Sequence, residues 1–98
     1  MVTVRVKFLG SLLSLARGSS FELKIDSDVP ITVFSCIQAL KQSFGEELVR
    51  NILDERSAEP RVKTLILKNG VEIRALEKLN TKIKDNDELT FIPYIHGG

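Results

Sequence analysis

The chain has 98 residues, 43% of them hydrophobic, with 14 basic side chains against 13 acidic ones. That length makes one small domain, and the near-cancelled charge, with no basic run, leaves no footprint for direct nucleic-acid binding. One Cys and one His exclude a structural zinc site, which takes about four such ligands, and a disulfide framework within the chain. No apolar stretch approaches a bilayer span, and the N-terminus alternates apolar with charged residues where a signal peptide would be a solid apolar block. A cytoplasmic location and a monomer are expected. There is no phosphate-binding glycine loop and no dinucleotide fingerprint. The only His, His96, lies three residues from the end, so no Ser-His-Asp set can be argued. The chain lacks the usual parts of an enzyme.

In chain order, Val2, Val4, Val6 and Phe8 alternate with Thr3, Arg5, Lys7 and Leu9, the period of a half-buried strand. Leu9 is the oddity, since the outward parity turns apolar there. Leu12, Leu13, Leu15 and Ala16 make a helical turn stopped by Gly18. Phe21, Leu23 and Ile25 alternate with Glu22, Lys24 and Asp26 in a second strand. After Pro30, Thr32 is a good N-cap, and Val33, Ile37, Leu40 and Phe44 have helical spacing. The spacing predicts a helix over 33–44, ended by Gly45, with one apolar face for a sheet. Cys36 beside that stripe reads as a small core residue, because no base or cation is in view to activate it. Glu46 and Glu47 suit the start of a second short helix carrying Leu48, Val49, Ile52 and Leu53.

The polar run 54–61 reads as a loop, and 62–67 as a central strand. Asn69-Gly70 is the strongest local signal, a two-residue turn with positive φ that closes a β-hairpin. Val71 and Ile73 would form its short partner strand. Leu76, Leu79 and Ile83 are expected to anchor an irregular connection in the core. Residues 84–87 are a turn cluster. The last strand, 88–94, puts Leu89 and Phe91 on one face and Thr90, Ile92 and Tyr94 on the other. Pro93 cannot donate to a ladder, so pairing should fail near it. The expected organisation is a body over 1–92 and a flexible tail over 93–98. At roughly 3.3 Å per extended residue the tail reaches about 20 Å.

The element order implies an α+β, two-layer fold, a mixed sheet of about five strands on one main helix with a second short helix. Three stretches make the resemblance specific. The run Leu65-Ile66-Leu67-Lys68-Asn69-Gly70-Val71-Glu72-Ile73 resembles the strand-then-Asn-Gly signature of small ubiquitin-like sulfur carriers. Residues 84–89 resemble their acidic turn and last strand. The ending Phe91-Ile92-Pro93-Tyr94-Ile95-His96-Gly97-Gly98 resembles their terminal stretch. MoaD-type proteins, the small subunits of molybdopterin synthase and relatives of ThiS, carry two prolines after the last strand; here Tyr94 holds the second position. The His-Gly-Gly ending is closer to the ubiquitin-related and small archaeal modifier branch.

The resemblance implies the ubiquitin-like β-grasp fold, with the first and last strands side by side. It implies a carrier that binds no cofactor and no metal and is the substrate of an adenylating enzyme that consumes ATP. That enzyme would activate the Gly98 carboxylate, and sulfur transfer would then give a thiocarboxylate. The sulfur would serve tRNA thiolation or a molybdopterin-type cofactor. The partners implied are the activating enzyme, a sulfur-transfer or thiolation enzyme and, in the modifier branch, lysines of target proteins joined by isopeptide bonds, with a route to the proteasome pathway. Gly97 and Gly98, lacking Cβ atoms, supply the bare acyl end; Ile95 and His96 are tail context. Leu9, Val71, Ile92 and Tyr94 fall on parities assigned away from the helix, and an apolar cluster there would be a partner-docking surface. Two alternatives remain open at this point, a dedicated molybdopterin synthase subunit and a β-grasp interaction module whose tail does no chemistry.

Overall fold

The computed structural model describes residues 1–16, 18–53 and 64–93. The strands are β1 (Val2–Phe8), β2 (Ser20–Ile25), β3 (Ile31–Thr32), β4 (Thr64–Lys68), β5 (Val71–Glu72), β6 (Lys82–Ile83) and β7 (Glu88–Pro93). The helices are α1 (Leu12–Ala16), α2 (Val33–Phe44) and α3 (Glu46–Ile52). The main sheet has the order β2-β1-β7-β4-β5. β1 and β7 run parallel at its centre, pairing residue 5 with residue 88 and residue 8 with residue 91, while the other pairs are antiparallel. This is the β-grasp arrangement, one mixed sheet wrapped on one main helix.

The alternation read in the sequence sets the inner face. Val4, Val6, Phe8, Leu23, Ile66, Leu89 and Phe91 are all buried beneath α2, which contributes Val33, Cys36, Ile37 and Leu40. Phe8 and Phe91, neighbours across the parallel pair, stack at 5.6 Å between centroids, and Phe44 meets Phe8 and Phe21 edge-on. Such pairs add to plain area burial. Helix α2 starts as its residues dictate. Thr32 Oγ1 accepts from the Ser35 N–H, and Ser35 Oγ accepts from the Thr32 N–H, both at 3.2 Å. That reciprocal bonding satisfies two otherwise orphaned donors. Gly45, at φ +94°, ends α2 and starts α3 within one residue.

The turn clusters carry more structure than their sequence shows. Asn69 (φ +49°) and Gly70 (φ +85°) form the expected hairpin turn. Asn69 then bolts it to the start of β7, donating its N–H to the Glu88 carbonyl (2.8 Å), accepting from the Glu88 N–H (2.9 Å) and donating from Nδ2 to Asp87 (3.0 Å). Asp87 also accepts from the Lys84 N–H at 2.7 Å and lies 3.8 Å from Lys68 Nζ. Partial burial alone would raise the Asp87 carboxyl; the Lys84 and Asn69 hydrogen bonds and the Lys68 and Lys84 cations together outweigh it and hold it below the usual carboxylate range.

Several expectations need correction. Ile73 is not in the hairpin; β5 ends at Glu72, and Ile73 opens a 3-10 turn (Ile73–Ala75) with its side chain buried. Leu76 is no core anchor, being 42% exposed, whereas Leu79 and Ile83 are buried. Ile83 and Lys82 are not irregular either, since β6 pairs with β3 in a separate two-stranded ribbon beside α2. Pairing does not fail before Pro93, whose register partner is Thr64. The expected loop at 54–61, and residues 94–98, lie outside the described residues. No helix among the described residues is long and apolar enough to cross a membrane.

Candidate functional site

The sheet's outer face, opposite α2, grades from charged to apolar along β7. At the start of β7, Glu88 lies beside Arg5 in register and 3.3 Å from Lys7 Nζ. One row further, Thr90 lies between Lys7 of β1 and Leu67 of β4. At the far end Ile92 sits opposite Leu65 of β4. Leu9, one residue past β1, donates its N–H to the Phe91 carbonyl at 3.1 Å and continues the outward parity of Lys7. Leu9 is 43% exposed, and Leu65, Leu67 and Ile92 are half-buried. Leu9, Ile92 and Leu65 therefore share the end of the face where Pro93 hands the chain on to residues 94–98, with Leu67 one row behind them. No layer among the described residues covers them, and an apolar cluster of that kind marks a contact surface.

Of the residues singled out in the sequence, Leu9 and Ile92 do come together here. Val71 does not. The two-residue turn makes Val71 the partner of Lys68, and Lys68 is in turn the partner of Leu89. Val71 therefore takes the parity of the helix side, beyond the edge of the core, and remains 46% exposed. Tyr94, Ile95, His96, Gly97 and Gly98 lie outside the described residues. Leu65 and Leu67 were missed. They lie in an unbroken apolar run that reads as a strand buried on both faces, so nothing in it betrays that one face is uncovered.

The root of the tail is tightly built. Gly10, at φ +61°, follows Leu9, and a Cβ placed on it would lie 3.2 Å from Pro93 Cγ. An open depression lined by Arg5, Lys7, Phe21, Glu22 and Glu88 lies at the opposite end of β7 from Pro93. Cys36, the one thiol, is fully buried under the sheet. Burial pushes its thiol up to about 12, the Asp87 charge adding to the effect. At neutral pH it is a protonated core residue and no nucleophile.

Comparison with known proteins gives the family and agrees with the fold. The family model described as ubiquitin related modifier, Urm1, matches residues 3–98. A protein of Archaeoglobus fulgidus assigned as a sulfur carrier is 29% identical over 77 residues, which cover 79% of this chain and 84% of that protein. The solution structure of small archaeal modifier protein 1 from Methanosarcina acetivorans superposes with a TM-score of 0.80 at 28% identity, covering 100% of this chain and 98% of that one. Urm1 from Trypanosoma brucei superposes at 0.77 with 26% identity, covering 98% and 95%.

Proposed function

Because the chain belongs to the ubiquitin related modifier family, Urm1, whose members are small ubiquitin-like carriers and modifiers and not catalysts, we propose that it carries sulfur on the carboxyl group of Gly98. The observation that supports this reading most is the apolar end of the outer face, Leu9, Leu65, Leu67 and Ile92, set at the strand end that leads into Gly97-Gly98. A partner that grips that face receives the acyl end beside it.

The chemistry is supplied by partners. An adenylating enzyme brings ATP; a Gly98 carboxylate oxygen attacks the α-phosphorus, and pyrophosphate leaves. The product is a mixed anhydride with AMP. A persulfide on a sulfur-transfer partner attacks the carbonyl carbon with its outer sulfur; the C–O bond to AMP breaks, AMP leaves, and an acyl disulfide forms. A thiol of the partner then cleaves its S–S bond, leaving a disulfide on the partner and the sulfur on the Gly98 carbonyl. The resulting thiocarboxylate donates its sulfur to tRNA or to a molybdopterin-type cofactor. Each step needs an unhindered acyl carbon, which two residues without Cβ atoms provide. The body offers grip and aim. The need for ATP fits the cytoplasm.

A second outcome of the same adenylate is attack by a lysine amine, which joins the chain to another protein by an isopeptide bond. The 28% identity to a small archaeal modifier protein favours keeping this route beside sulfur transfer. The test is intact mass spectrometry of the chain isolated from its native host. Replacement of one oxygen by sulfur, localised to Gly98, is the expected result, and diglycine remnants of this tail on lysines of other proteins are expected alongside. A Gly98 deletion should abolish both. A carboxylate that stays unmodified in cells active in sulfur transfer, with no adducts, overturns the proposal.

A further inference from the structure

The turn after β1 and the end of β7 meet at one point. Gly10 is held from both sides. Before it, the Leu9 N–H is laddered to the Phe91 carbonyl. After it, the Leu13 N–H bonds the Gly10 carbonyl at 3.2 Å, and α1 is anchored in the core by Leu12 and Ala16. Gly10 therefore cannot drift away from its neighbour. A Cβ there would stand 3.2 Å from Pro93 Cγ, 3.7 Å from Pro93 Cδ and 3.6 Å from the Pro93 carbonyl oxygen. The first of these distances is tighter than ordinary van der Waals contact.

Pro93 is the last described residue before the acyl end. Its ring locks φ, and its register partner Thr64 holds it from the β4 side. What remains to aim the following chain is its ψ, which is the orientation of its carbonyl. Both ring and carbonyl lie against the space that Gly10 leaves empty. We propose that Gly10 is a positioning residue for the acyl end. Its missing side chain seats the ring and carbonyl of Pro93, and this seat sets the direction in which residues 94–98 leave the body. The inference rests on the sulfur-carrier reading for its purpose, though not for its geometry. A misplacement of a reacting group by about 1 Å can cost on the order of a hundredfold in rate, so the direction set at Pro93 bears on the chemistry at Gly98.

The test uses Gly10→Asn, because Asn tolerates a left-handed φ and so probes the added atoms rather than backbone strain. Pro93→Ala and the double variant complete a cycle. The readout is ATP–pyrophosphate exchange by the host's carrier-adenylating enzyme. Gly10→Asn should lower kcat about tenfold or more with KM within about twofold. Pro93→Ala should itself lower kcat, and the double variant should lose no more than the worse single variant, since the new side chain and the ring act through one contact. An unchanged kcat, a rise in KM alone, or fully additive losses in the double variant overturns the inference. Amide spectra establish that each variant folds, and Gly10→Ala, with a smaller expected loss, stands in if the Asn variant does not.

A nitroxide on Lys7→Cys, with Cys36 shielded in the core, reads the tail in the absence of any enzyme. The broadening pattern of the 94–98 amides should differ between wild type and Gly10→Asn, and identical patterns overturn the inference. A wild-type chain that supports no exchange defeats the sulfur-carrier reading instead, and the broadening pattern then decides the role of Gly10.

Discussion

Single residues divide here into those that hold the body and those that face a partner. Asp87 is of the first kind. Its carboxyl is held low in the folded chain, so the stability it lends is present above the ordinary carboxylate range near pH 4 and is lost as pH falls through the lower folded-state value. Urea midpoints measured between about pH 5 and pH 2 should fall more steeply for the wild type than for Asp87→Asn, which should be the less stable of the two near pH 7 by roughly 1–2 kcal/mol. Cys36 supplies a second check. With its thiol pushed up to about 12 and fully buried, alkylation by iodoacetamide at neutral pH should proceed only through unfolding and should accelerate sharply in denaturant. The sequence announced Cys36 correctly, because Val33, Ala39 and Leu40, at i−3, i+3 and i+4, are apolar. It could not announce Asp87, whose distant partners, Asn69 and Lys68, come from the hairpin and meet it only once the sheet is assembled.

Elements with a clear period were legible. The 33–44 helix and its Thr32 cap stand where the spacing put them. Removing the cap by Thr32→Ala should cost about 1 kcal/mol in chemical denaturation. β3 and β6 were not legible, since a strand of two residues carries no period at all. The parity of Val71 failed for a related reason. Its side is fixed by the turn that makes it face Lys68, not by alternation within a two-residue strand. On the outer face the apolar end is the element that binding should expose. Leu9→Ser should leave the melting temperature nearly unchanged, as is usual for exposed positions. It should weaken capture by the adenylating enzyme about tenfold, seen as a rise in KM, in line with loss of a central apolar contact. An equal response to Val71→Ser would mean that the partner grips the other side.

For the molecule as a whole, the family and fold were readable because the hairpin turn, the acidic turn and the diglycine ending each have a physical reason to look as they do. The grading of the outer face was not, because Leu65 and Leu67 become part of it only when β7 sets them opposite Ile92 and Thr90. At this scale, one bulky residue appended after Gly98 should leave the melting curve intact while sulfur loading fails, and normal loading of such a chain would show that the end is not the reactive group. The position of β7 has a further consequence. It follows every other described strand in the sequence, yet it lies between β1 and β4 and contributes Leu89 and Phe91 to the core. A nascent chain thus cannot close this sheet until residue 93 has been added, and a product stopped before residue 88 lacks the central strand together with the diglycine. Fragments of that sort expose unpaired strand edges and uncovered core, and are left unfolded and open to proteolysis.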